Sequence, residues 1–93
     1  MTLKEKQRGY KQLSIIIGRR YNIKNMFNDI EEIIKVCFGT SGEVGLYDVP
    51  NEERLTDEDY RIDFSWGEDV SGSIWYLKTN SPFHIYITEV ELD

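Results

Sequence analysis

The residues whose chemistry is simplest to test are the consecutive carboxylates Asp57, Glu58 and Asp59, with Asp63 close behind. Clustered carboxylate oxygens are the ligands that calcium prefers. A calcium loop of the EF-hand type needs glycine at its sixth position, whereas the sixth position counted from Asp57 is Ile62. The spacing therefore predicts no metal site, and a solvated acidic turn is the simpler interpretation.

Three glycines at intervals of three residues, Gly39, Gly42 and Gly45, superficially resemble a phosphate-binding loop. A phosphate loop joins the end of a strand to the start of a helix, where free backbone N–H groups face the anion. These glycines instead follow a stretch with helical periodicity. They indicate a helix end and a turn, and we expect no nucleotide cofactor.

The one cysteine and the one histidine, Cys37 and His84, are the remaining candidates for catalysis. Cys37 falls on the apolar face of a predicted helix, where a free cysteine behaves as a small buried hydrophobe. His84 lies on a predicted strand and has no second histidine or cysteine to complete a metal ligand set. We therefore expect a protein that is not an enzyme and has no cofactor. A single cysteine also excludes an intramolecular disulfide, which favours the cytoplasm.

The strongest feature of the chain is a change in the sign of its charge. Residues 1–25 hold seven basic side chains and one carboxylate, a balance of +6, whereas residues 26–93 have a balance of −12. Such a distribution steers charged partners towards one side of a protein. The longest apolar run near the N-terminus, residues 13–17, is interrupted by Ser14 and is too short for a signal peptide or a membrane span. No membrane partner is expected.

Carboxylates and large aromatic rings are concentrated between residues 52 and 75. Charges that speed the encounter and rings that bury contact area are what a binder of a basic surface requires. A solvated surface that keeps a small protein in solution is the alternative interpretation. The residues predicted to contact a partner are Glu52, Glu53, Asp57, Glu58, Asp59, Asp63, Trp66, Glu68, Asp69 and Trp75.

These observations predict a small binding module that docks on a basic surface of another protein. A nucleic-acid enzyme fits this description, so an inhibitor of a nuclease, such as an immunity or anti-defence protein of bacteria or phages, is the leading hypothesis. An accessory protein that binds nucleic acid through its basic N-terminal helix is the second hypothesis, with phosphate contacts from Lys4, Arg8, Lys11 and Arg19. A homodimer or larger assembly formed through an open sheet edge is the third.

Two helices are predicted to precede the strands. The spacing of Thr2 and Glu5 is typical of a capping box, so the first helix should begin there and run to about residue 17, although residues 15–17 could form a short strand instead. Residues 23–37 have a clear helical period, and Gly39 should end that helix. Residues 18–22 are then a turn between the helices.

Beyond Gly42 the apolar residues alternate, which indicates strands at 44–48, 60–66, 73–79 and 83–91. In the last strand the alternation places Ile85 and Ile87 on one face and Val90 on the other. Residues 50–59 form the one long polar connection. The predicted fold class is α+β, with two N-terminal helices packed on one face of a three- to four-stranded antiparallel β-meander, in a single domain of residues 1–93.

Overall fold

A computed structural model describes residues 1–50, 60–81 and 83–93 of the chain. The helices in this part are α1 (Leu3–Leu13) and α2 (Met26–Phe38), and a short 3₁₀ turn, Ser14–Ile16, follows α1. The strands are β1 (Arg20–Asn22), β2 (Val44–Asp48), β3 (Tyr60–Trp66), β4 (Val70–Lys78) and β5 (His84–Leu92). The predicted polar connection lies outside the described residues from 51 to 59.

The described strands form one antiparallel sheet in the order β1-β5-β4-β3-β2. The α+β class and the meander from β2 to β5 are confirmed. The predicted strand number is wrong, because β1 adds a fifth strand at the edge beside β5, and only α1 precedes every strand. Strand β1 has three residues and exists because Tyr21 pairs with Ile85 across the sheet. So short a segment has no recognisable alternation, which is why the sequence predicted a turn here.

Helix α1 begins with the predicted capping box and ends earlier than expected. The backbone N–H of Glu5 donates to the Thr2 hydroxyl at 3.1 Å, and the Glu5 carboxylate accepts from the Thr2 backbone N–H at 3.1 Å. After Leu13 the chain tightens into the 3₁₀ turn, so residues 14–16 are helical but not α-helical, and the alternative of a strand at residues 15–17 is wrong. Helix α1 contributes little to the core, because Leu13 is buried whereas Leu3 is 70 % exposed.

Helix α2 confirms the predicted amphipathic helix, with Met26, Ile30, Ile34 and Phe38 buried at intervals of four residues. It ends at Gly39, whose φ of +108° is a conformation that glycine adopts without strain. Its start lies three residues later than predicted. The N–H of Ile23 is instead bonded to the carbonyl of Phe83, so this part of the chain continues the pairing of β1 with β5.

Both helices pack against one face of the sheet, and the core lies between the two layers. The buried side chains that the central strands contribute to it are Ile62, Phe64, Trp66, Val70, Ile74, Tyr76, Ile85, Ile87 and Val90. The helices approach each other where Gly9 lies against the ring of Phe38; a Cβ atom at Gly9 would come within 2.3 Å of that ring. The opposite face of the sheet has no element of the described chain packed on it.

The second half of β5 is oriented differently from the prediction, because the strand contains a β-bulge. Trp75 pairs with Glu89 and Tyr76 with Ile87, so Thr88 is an extra residue without an opposite partner. The extra residue shifts the alternation by one, and Val90 therefore points into the core beside Ile87. The sequence placed Val90 on the open face because simple alternation does not allow for a bulge.

Candidate binding surfaces

Trp66, predicted to contact a partner, is part of the core. It lies at the end of β3, is only 8 % exposed and packs on Phe38 with ring centroids 6.3 Å apart. Its indole N–H donates to the carbonyl of Gly39 at 2.8 Å. Gly42 lies against the same ring, where a Cβ atom would come within 2.4 Å of it. The prediction for Trp66 needs correction, because this side chain joins the C-terminal end of α2 to the sheet and is not accessible to a partner.

Asp63 lies on the open face of β3, where two neighbours engage its carboxylate. Its Oδ1 accepts from the Ser73 hydroxyl at 2.8 Å. The Arg61 Nε atom lies 3.0 Å from the same oxygen, as an ion pair without the alignment of a hydrogen bond. Arg61 and Asp63 therefore neutralise each other in part, although the Asp63 side chain stays 42 % exposed.

The β3–β4 hairpin carries the predicted residues Glu68 and Asp69, both exposed. Asp69 accepts from the amino group of Met1 at 2.9 Å. That hydrogen bond, together with the positive charge of the amino group, lowers the pKa of the Asp69 carboxyl. Glu68 makes no ion pair with another described residue.

Five predicted carboxylates lie outside the described residues: Glu52, Glu53, Asp57, Glu58 and Asp59. The residues that flank this acidic segment, Pro50 and Tyr60, are described, and Tyr60 begins β3. The hairpin begins at the other end of β3, after Trp66. At a rise of about 3.3 Å per residue, the two ends of this strand are roughly 20 Å apart. Tyr60 and the β3–β4 hairpin therefore lie at opposite ends of β3.

Trp75 lies on the open face, half-buried, between Arg61 on β3 and Glu89 on β5 in the strand register. Other large side chains are exposed on this face, including Tyr47 on β2 and Tyr86 on β5. Along β4, Trp75 alternates with the buried Ile74 and Tyr76. The open face thus presents aromatic rings among charged side chains.

The basic residues of the second hypothesis are all exposed. Lys4, Arg8 and Lys11 recur along α1, whereas Arg19 lies beyond the 3₁₀ turn and outside the helix. Arg19 borders a groove of about 460 Å³ between the 3₁₀ turn and α2, which also contains Ile15. No ion pair joins any of these four residues to a carboxylate within the described chain.

The remaining chemical candidates do not form a site. Burial raises the pKa of the Cys37 thiol, which lowers its reactivity. His84 Nδ1 lies 3.0 Å from the hydroxyl of Ser81, a neighbour in the same turn. Residues 1–50, 60–81 and 83–93 contain no group of three His, Cys, Asp or Glu side chains placed to hold a metal ion. None of the helices in those ranges is long and apolar enough to cross a membrane.

The outer edge of β2 was not singled out from the sequence. The backbone N–H of Val49 donates to the carbonyl of Arg61, and the N–H of Gly67 donates to the carbonyl of Glu43. Because hydrogen-bonded pairs alternate along an antiparallel ladder, the odd-numbered residues of β2 are the ones whose backbone groups face β3. The backbone groups of Val44, Leu46 and Asp48 consequently point away from the sheet. A shallow recess of about 320 Å³ lies over Gly45 on the open face beside this edge, bordered by the ring of Tyr47 and by Asp63.

The fold defines a small α+β protein in which two helices cover one face of an antiparallel sheet. The chain matches no family model, and no curated protein or solved structure is significantly similar to it. Its function must therefore be argued from its own surfaces.

Proposed function

We propose that this protein is a small binding module without catalytic activity that docks an acidic surface on a basic surface of another protein. The supporting observation is that few of the opposite charges in the described part of the chain are paired with each other. The ion pairs of the described chain join Met1 to Asp69, Lys35 to Glu32 and Arg61 to Asp63. None of them joins a basic side chain of α1 to an acid of the sheet.

Unpaired charge remains available to an external partner. Exposed carboxylates without an ion pair in the described chain include Glu43 and Glu68. Long-range attraction between such a surface and a basic one accelerates association and favours partners of opposite charge. A nucleic-acid enzyme has a basic cleft for its substrate, so we propose inhibition of a nuclease as the activity.

Capture followed by an inhibition assay tests this proposal. The tagged protein is incubated with a nuclease-treated lysate of its native host, and bound proteins are eluted by salt and identified by mass spectrometry. The purified partner is then assayed for nuclease activity with increasing amounts of the protein. We expect one stoichiometric partner that salt releases, and a loss of its activity at a ratio of one to one.

Charge reversal within the acidic segment identifies the surface used. The variant Asp57→Lys, Glu58→Lys, Asp59→Lys should lose inhibition while its circular dichroism is unchanged. The control changes three exposed carboxylates elsewhere to lysine, at Glu32, Glu89 and Glu91, and so alters the net charge equally. Full inhibition by the first variant would refute the use of the acidic segment.

The basic residues of α1 are exposed and have no ion pair within the described residues, which favours one alternative function, the binding of nucleic acid. Affinity would then fall steeply with salt, because bound cations are released from the phosphate backbone. Fluorescence anisotropy with a labelled DNA duplex at about 50 and 200 mM salt measures this dependence. Reversing Lys4, Arg8 and Lys11 to glutamate should abolish such binding. Binding that survives the reversal would exclude this helix as the site.

A further inference from the structure

We propose that the outer edge of β2 binds an extended, basic segment of the partner as a sixth strand. This inference rests on the proposed function, since it assigns a docking site to the basic partner. Backbone groups of an edge strand form a template for another strand, and alternate side chains then supply specificity. The edge consists of the outward N–H and C=O groups of Val44, Leu46 and Asp48.

The two edges of the sheet differ in how well they are protected. Strand β1 has three residues and begins with the charged Arg20, and both features discourage pairing with another strand. Strand β2 has five residues and carries no lysine, arginine or proline. The only register shift among the described strands lies between β4 and β5, so no bulge turns the β2 edge away. Among the residues that the structure describes, no element covers β2, and it is therefore the edge open to pairing.

The side chains along β2 define what an added strand would contain. Val44 and Leu46 are half-buried and pack against the core, so they leave apolar surface at the rim on the helix side. A neighbouring strand that placed small apolar side chains on this face would extend the core. On the open face, Gly45 has no side chain and leaves the recess beside Tyr47.

The charge around this recess specifies a basic side chain. Residues 39–50 contain Glu43 and no lysine or arginine; Asp48, the other acid of this segment, lies on the helix side of β2, where its Oδ1 accepts from the Tyr76 hydroxyl at 3.0 Å. Asp63 borders the recess; Ser73 and Arg61 both engage its Oδ1, so Arg61 offsets part of its charge, and its Oδ2 can still accept a hydrogen bond. The ring of Tyr47, 52 % exposed, offers a face to a cation. An arginine or lysine of the added strand would meet both groups.

A second copy of the chain could also pair along β2, but each copy has a net charge of −6. Two such edges bring Glu43 and Asp48 of both copies to one interface, with no basic side chain from β2 to offset them. Charge complementarity therefore favours a basic partner over a second copy.

Amide hydrogen exchange followed by NMR tests the inference with a defined probe. The probe is an acetylated and amidated peptide of four Arg-Val repeats, added to the full-length protein. In the free protein we expect the amides of Val44, Leu46 and Asp48 to exchange rapidly, and those of Gly45 and Tyr47, which face β3, to be protected. The peptide should slow the exchange of the first three tenfold or more and leave the other two unchanged.

Two control peptides separate strand pairing from simple attraction. The same peptide N-methylated throughout keeps its charge but cannot donate backbone hydrogen bonds, so it should give no protection. A Glu-Val repeat can pair but has the wrong charge, and it should also give none. Protection by the methylated peptide, or none with the Arg-Val peptide, would overturn the inference.

Matched protein variants test the position of the site. Tyr47→Lys should weaken binding of the Arg-Val peptide tenfold or more, because it places a cation beside the recess. Tyr86→Lys makes the same change on the same face of the sheet, at β5, and should leave the affinity within about twofold. Equal losses in the two variants would show a non-specific effect of charge and overturn the inference.

Other results distinguish this inference from the function on which it rests. Protection of the β2 edge that rises with protein concentration alone would identify a second copy as the occupant and overturn the inference. If the acidic-segment variant loses inhibition of the nuclease but the Arg-Val peptide gives no protection, the proposed function stands and the β2 site fails. If the peptide gives protection but that variant still inhibits fully, the β2 site stands and the use of the acidic segment fails.

Discussion

Replacing each tryptophan in turn by phenylalanine should show, from the change in the free energy of unfolding, which one lies in the core and which on the surface. Trp66 is 8 % exposed, and its N–H donates to the carbonyl of Gly39 at 2.8 Å. Phenylalanine lacks this hydrogen bond, worth about 1 kcal/mol net. It also lacks two ring carbons, at roughly 0.8 kcal/mol for each buried CH₂ equivalent. Trp66→Phe should therefore lower the free energy of unfolding by about 2–3 kcal/mol.

Trp75→Phe should have a much smaller effect on stability, within about 1 kcal/mol, because Trp75 is half-buried on the open face. Urea denaturation followed by circular dichroism measures both variants. For a domain of this size the loss at Trp66 corresponds to a fall in Tm of roughly 10–20 °C.

Fluorescence gives an independent check, since each variant keeps one of the two tryptophans. The tryptophan left in Trp75→Phe should emit at shorter wavelength and resist quenching by acrylamide. The tryptophan left in Trp66→Phe should be quenched more readily. Equal unfolding midpoints for the two variants, with equal quenching, would refute the placement of Trp66 in the core.

Three further predictions follow from the local geometry. Gly42→Ala should lower the free energy of unfolding by about 1–3 kcal/mol in urea denaturation, because its Cβ atom would collide with the indole of Trp66. Thr2→Ala should cost about 1 kcal/mol through the lost helix cap. Hydrogen bonds from the Thr2 backbone and hydroxyl lower the pKa of the Glu5 carboxyl. The contribution of that carboxyl to the free energy of unfolding is therefore complete above its ordinary pKa of 4.5 and is lost as the pH falls through the lowered pKa. The difference in stability between wild type and Thr2→Ala should consequently become smaller in acid. Burial raises the pKa of Cys37, so its thiol should react with Ellman's reagent much more slowly at pH 8 in the folded protein than in urea; equal rates would contradict its burial.

The parts of the fold that follow from local patterns were predictable from the sequence. Helix α2 repeats buried residues every four positions, and the capping box at Thr2 and Glu5 satisfies its hydrogen bonds within one turn. Strand β3 alternates over seven residues. Each of these patterns depends on neighbours in the chain, so it can be recognised without knowing what packs against it.

The parts that were missed depend on contacts between distant residues. Strand β1 forms only because β5 is there to pair with it, and Val90 reaches the core only because Thr88 is an extra residue in the ladder. Tryptophan is a residue type that is common at binding surfaces. Trp66 is buried because Gly39 accepts its hydrogen bond and Gly42 lies against its ring, and both are more than twenty residues away in the chain. Strand pairing and close packing between distant residues produce no periodic pattern in the sequence.

The location of α1 explains how one molecule can present both signs of charge to partners. Helix α1 packs on α2 and contacts the sheet at β5, where the hydroxyl of Tyr10 donates to the carbonyl of Val90 at 3.0 Å. Strand β2 is three strands from β5, a separation of roughly 14 Å at about 4.8 Å per strand. This exceeds the Debye length of about 8 Å at physiological ionic strength. The docking of a basic partner at β2 that we propose would therefore meet little repulsion from the basic side chains of α1, because salt screens most of it over this distance.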